Sequence, residues 1–265
     1  MGALQRNNVV VHGRPDAAPM IFAHGFGCDQ NMWRFVWPAF EDDYRIVLFD
    51  HVGAGGSDAG AFDPGRYGSL HGYATDVLEI CRELDLDDIV FVGHSVSAMI
   101  GALAAAEDPA RFGRLVLIGP SPRYIDDEGY VGGFTRDDIE GLLEAIDSNY
   151  LGWSSQMAPV IMGNEDRPEL GEELTNSFCR ADPEIARQFA RVTFLSDNRA
   201  DLGRVTTPSL ILQCSRDAIA PEVVGDYVHS RLPGSKLVQL SATGHCPNLS
   251  APEETVAAIK AFLAE

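Results

Sequence analysis

Positive charge is scarce in this chain of 265 residues: 20 Lys and Arg stand against 39 Asp and Glu, a formal charge of −19. A surface of that sign repels phosphate backbones and anionic bilayers, so neither nucleic acid nor a membrane is expected as a partner. The acidic residues are scattered (Asp42, Asp43, Asp126, Asp127, Glu128, Glu172, Glu173), as on a solvated surface. Long apolar runs are lacking too. Nothing approaches the roughly 18 apolar residues of a membrane span, and the opening MGALQRNNVVVHG has no basic stretch leading into an apolar one, so no secretory leader is expected. The five cysteines, Cys28, Cys81, Cys179, Cys214 and Cys246, are odd in number and contain no C-x-x-C pair. Reduced thiols and a cytoplasmic location are the expectation. No His/Cys/Asp group has metal-ligand spacing. The glycines of Asp50-His-Val-Gly53-Ala-Gly55-Gly56-Ser57 lack the G-x-G-x-x-G spacing and the following helix of a dinucleotide site. They read as a structural turn, and no metal and no cofactor is expected.

What the chain does have is 45% hydrophobic residues, enough for a sizeable core. Short apolar runs at 9–12, 20–23, 45–49, 89–92, 115–118, 209–213 and 236–240 read as strands. Helical patterns at 31–40, 70–84, 97–106, 222–232 and 253–263 separate them. Near-continuous apolar strands alternating with helices predict an α/β fold with a mostly parallel, twisted sheet flanked by helices. The last helix carries an expected start signal in Ser250-Ala-Pro252-Glu253. From 121 to 205 the rhythm breaks, with helical stretches near 135–150, 155–162, 169–180 and 183–195 and no convincing strand. This reads as a helical lid on a core made of residues 1–120 and 206–265.

Gly93-His94-Ser95-Val96-Ser97 joins a strand to a helix and nearly matches G-x-S-x-G, with Ser97 in place of the last glycine. A sharp turn there lifts the serine hydroxyl clear of the sheet and aims the Val96 N–H at a developing oxyanion. A serine nucleophile needs a base, and the base an orienting acid, in chain order serine, acid, histidine. Asp217 follows the sixth strand and His245 the seventh, both in loops. The other histidines fit less well: His94 adjoins Ser95 and should turn away from its hydroxyl, His229 lies in a helix pattern, and His12 and His71 precede or begin elements. Asp197 and Asp201 sit in the segment returning from the lid. In His24-Gly25-Phe26-Gly27 the Phe26 N–H is the candidate second oxyanion donor.

These motifs together resemble the α/β-hydrolase superfamily. Longer strings, among them AHGFGCDQNMW, IGPSPRYI, YVGGF, NYLGW, CRADPEIARQFARVTFLSDNR and GHCPNLSAPEET, are similar to the RsbQ-like bacterial stress-response regulators and their plant relatives, the karrikin and strigolactone receptors. The resemblance implies an α/β-hydrolase fold with a four-helix lid inserted between strands 6 and 7. It also implies a pocket lined by Phe134, Trp153, Phe194 and Cys246, with Met157 where pocket size varies. Three functions are expected from residues and resemblance together. The first is a serine hydrolase of a small apolar ester or lactone. The second is a ligand-responsive signalling module with slow turnover and a protein partner at the lid, a sensor-domain phosphatase if the bacterial likeness holds. The third is a general carboxylesterase or cofactor-free perhydrolase; Ser95 argues against dehalogenases and epoxide hydrolases, which need a carboxylate nucleophile.

Overall fold

Strands apolar on both faces are stable only when both faces are covered, and this chain meets that need with two core layers. The computed structural model describes residues 2–265. Its strands are β1 (Val10–Gly13), β2 (Pro19–Ala23), β3 (Arg45–Phe49), β4 (Ile89–His94), β5 (Phe112–Ile118), β6 (Ser209–Ser215) and β7 (Ser235–Thr243). They form one sheet in the order β1-β3-β2-β4-β5-β6-β7, with β1 antiparallel to β3 and the other pairs parallel. Alternation splits each central strand between the layers. Met20, Phe22, Val90, Val92, Val116 and Ile118 face one apolar cluster, and Ile21, Ala23, Phe91, Leu115 and Leu117 face the other.

The helices are α1 (Ala3–Arg6), α2 (Leu70–Glu83), α3 (Val96–Glu107), α4 (Arg136–Ser148), α5 (Tyr150–Met162), α6 (Pro168–Phe178), α7 (Pro183–Phe194), α8 (Glu222–Arg231), α9 (Pro247–Ser250) and α10 (Pro252–Leu263). Helices α4 to α7 occupy the stretch that lacks strands. They follow β5 and precede β6, which corrects the expected insertion between a sixth and a seventh strand. Five strands precede the helices, the same five that the apolar runs at 9–12, 20–23, 45–49, 89–92 and 115–118 mark in the sequence; the resemblance alone, and not those runs, implied a sixth.

Two local readings also change. The single helix expected over 31–40 is a pair of 3-10 turns, Gln30–Trp33 and Trp37–Phe40; Pro38, early in the second, has no N–H to donate to Arg34 O in a continuous helix. Ser250 does not cap α10; it ends α9, and its buried hydroxyl has no partner among the described residues. The Thr135 start of α4 matches its reading, with a full capping box to Asp138.

Candidate active site

Strand β4 stops at His94, and Ser95 takes φ 58° and ψ −123°, a conformation that L residues rarely adopt. The cost is of order 1–3 kcal/mol and is held by neighbours: the Ser95 N–H donates to Ile118 O on β5 at 2.8 Å. Gly93 must lack a Cβ, which would lie 2.4 Å from Ser97 O. Helix α3 begins immediately after the serine.

The Asp217 and His245 loops converge on that hydroxyl from β6 and β7. His245 Nε2 lies 2.7 Å from Ser95 Oγ, and His245 Nδ1 lies 2.7 Å from Asp217 Oδ2. The other Asp217 oxygen accepts the Ile219 and Ala220 N–H groups at 2.8 and 3.0 Å. Burial opposes ionisation of Asp217, yet the attraction and hydrogen bond of the His245 imidazole together with these donors outweigh it and hold the carboxyl below its usual range. A carboxylate at Nδ1 fixes the proton there, so Nε2 faces Ser95 as an acceptor. All three residues are buried.

The remaining histidines lie elsewhere or serve other groups. His12 stacks on Trp37, His229 bonds Ser235, and His71 is exposed on α2. His94 turns from the hydroxyl, as expected, and its Nε2–H donates to His245 O at 2.7 Å, bracing the His245 loop. Burial keeps the His94 ring neutral, with its pKa pushed down to about 3. Asp197 and Asp201 pair with surface arginines. The Asp50 turn is structural: its carboxylate accepts from Gln30 N, Asn8 Nδ2 and Gly56 N at 2.7–2.9 Å.

Above Ser95 lies a narrow, mainly apolar cavity between the sheet and helices α4 to α7. Trp153, Met157, Phe194 and Cys246 line it, as does Phe26. Phe134 does not, which corrects the expectation. Its backbone N–H is spent on Tyr124 O, and its half-buried ring packs against the core outside the cavity wall. Tyr124, Leu142, Phe178 and Ile219 are wall residues that sequence reasoning missed; Tyr124 was visible only within IGPSPRYI, a string without chemical spacing. The wall thiols are unreactive, since burial pushes Cys28 up to about 12 and Cys246 well above the ordinary thiol range. The Phe26 and Val96 N–H groups, the two expected oxyanion donors, make no backbone hydrogen bond among the described residues. No group of His, Cys, Asp and Glu among the described residues is arranged to hold a metal ion, and no helix among them is long and apolar enough to cross a membrane.

Comparison with known proteins gives this geometry its place. The chain is 40% identical to the karrikin insensitive 2 receptor IA of Petunia hybrida, over 89% of this chain and 87% of that one. It is 40% identical to the strigolactone esterase RMS3 of Pisum sativum, over 92% of each. A solved hydrolase from Oleispira antarctica superposes with a TM-score of 0.96 at 41% identity, covering 99% of this chain and 96% of that one. Residues 20–259 match the alpha/beta hydrolase family. The chain belongs to that family, and it is a hydrolase.

Proposed function

We propose that the chain hydrolyses small apolar esters or lactones through an acyl-enzyme on Ser95, with residues 121–205 serving as the lid. The continuous contact Asp217–His245–Ser95, at 2.7 Å on each side of the imidazole and beneath an apolar cavity, carries this reading. The Ser95 hydroxyl gives its proton to His245 Nε2 as Oγ bonds to the substrate carbonyl carbon. The resulting oxyanion sits between the Phe26 and Val96 N–H groups, each worth about 3–4 kcal/mol in enzymes of this kind. His245 returns the proton to the leaving oxygen. Water, deprotonated by the same ring, then releases the acid from Ser95. Asp217 stays ionised throughout and stabilises the imidazolium.

A second reading rests on the 40% likeness to a karrikin receptor: turnover is slow, and the acylated or occupied state presents an altered lid to a protein partner. The relatives lend no weight to a phosphatase in that role. Release of p-nitrophenol from a short ester, followed for wild type and Ser95→Ala, tests both. A fast, Ser95-dependent steady state supports a metabolic esterase. A Ser95-dependent burst followed by slow release supports the signalling reading. Equal rates in the two proteins overturn the assignment of Ser95.

A further inference from the structure

Ser97 stands where the nucleophile motif has glycine, and His51 lies in a turn that the catalytic steps do not use. Both are fully buried, and the structure joins them to the oxyanion loop. Ser97 Oγ lies 2.5 Å from His24 O and 2.7 Å from His51 Nε2. A carbonyl only accepts, so the hydroxyl donates to His24 O and accepts from His51 Nε2–H. His51 Nδ1 is then bare, in agreement with its having no partner among the described residues. Aromatic rings of Phe49, Tyr73 and Phe189 wall the imidazole at 5.2–5.6 Å, and burial holds its pKa well below the ordinary value, so it remains neutral.

His51 also acts through its backbone. Its N–H donates to His24 Nε2 at 3.0 Å, which makes Nε2 an acceptor and leaves the ring proton on Nδ1. That Nδ1–H reaches Gly25 O at 2.9 Å. The Gly25 carbonyl and the Phe26 N–H belong to one planar trans peptide and point in opposite directions. Whatever fixes the carbonyl therefore aims the N–H.

We propose that His51 and Ser97 are positioning residues that lock His24 at its ring and at its carbonyl, so that the Gly25–Phe26 peptide presents its N–H to the oxyanion. The proposal rests on the serine-hydrolase reading above and adds the device that organises its oxyanion site. None of the three side chains touches substrate; they act through one peptide plane.

Two measurements test it. In wild type, ring 15N shifts of His24 report the tautomer without any turnover: a protonated Nδ1 and a bare Nε2 are expected, and the reverse overturns the proposal whether or not the protein is an esterase. Kinetics with p-nitrophenyl acetate then compare Ser97→Ala, His51→Phe and His51→Gln, with an alkyl trifluoromethyl ketone as the oxyanion mimic and the matching methyl ketone as its ground-state counterpart. Ser97→Ala is expected to lower kcat about 10-fold with KM within about twofold. Trifluoromethyl ketone inhibition should weaken by the same factor and methyl ketone inhibition should not. His51→Gln, which keeps an N–H near the Nε2 position, should recover much of the activity lost in His51→Phe. An unchanged kcat in Ser97→Ala, parallel losses for both ketones, or a Gln variant no better than Phe would contradict the relay. Failure of Ser95→Ala to lose activity strikes instead at the serine-hydrolase reading, while leaving the tautomer result standing.

Discussion

At the scale of single residues, three side chains and two backbone N–H groups carry the chemistry proposed here, and most were legible because their signals are local. An elbow glycine, a serine at the strand end and a histidine in a glycine loop each announce themselves within five residues. Phe134 was expected in the cavity wall and Tyr124 was not singled out, because no local signal decides which aromatic of a returning loop faces a cavity. That depends on how residues 124–134 fold back on themselves: the Phe134 N–H is spent on Tyr124 O, and Tyr124 is the one left facing Phe194, with ring centres 5.1 Å apart. Ser97 looked like a mild departure until the structure supplied His24 O and His51 as its partners. Asp217→Asn tests the orienting role. The amide can offer an N–H to His245 Nδ1 and so favour the wrong tautomer, and kcat should fall by up to about 10,000-fold with little change in KM. A loss below about tenfold would remove Asp217 from the site.

At the scale of elements, the loop bearing His245 is held by helix α5. His245 N–H donates to Ile161 O near the end of α5 at 2.8 Å, and Asn164 Nδ2 donates to Thr243 O at 3.2 Å. Gly244 makes this approach possible: its φ is +79°, and a Cβ there would lie 1.8 Å from Met162 O. Gly244→Ala must push the loop from α5, so kcat should fall by more than tenfold even where the protein remains folded by circular dichroism. Wild-type kcat in that variant would mean that His245 is held by other means. Thr135→Ala removes the cap of α4, whose hydroxyl accepts from Asp138 N at 3.1 Å. It should cost about 1 kcal/mol of stability by urea unfolding and leave kcat unchanged. Helix and strand periods were readable in the sequence because burial imposes them. The pair of 3-10 turns near Trp33 and the false cap at Ser250 were not, since a proline and a short helix decided locally what periodicity had suggested.

At the scale of the whole molecule, burial depresses the pKa of His51 and His94, and the stability of the fold is tied to pH through them. Free histidine side chains titrate near pH 6.5. Folded His94 takes its proton only near pH 3, and folded His51 also well below its ordinary value, burial being the chief cause for both. As pH falls below about 6.5 the unfolded chain therefore binds protons that the folded one refuses. Stability present above that pH is lost on acidification, by up to about 1.4 kcal/mol per pH unit for each ring. Urea unfolding at pH 7, 6 and 5 should show the decline, and His51→Gln should make it shallower. A profile flat from pH 7 to 5 would contradict neutral burial. The architecture itself, a mostly parallel sheet with a helical insertion, was legible from alternating apolar runs, which also place the insertion after the fifth of them; the count of six came from the resemblance and not from periodicity.

The central claim is that Ser95 becomes acylated, and rapid-quench peptide mapping after mixing with a short p-nitrophenyl ester tests it most directly. One acyl group per chain is expected, on the peptide containing Ser95, absent from Ser95→Ala and longer-lived on any His245→Ala protein that forms it. An acyl group on another residue, or ester hydrolysis that persists in Ser95→Ala without an adduct, would contradict it.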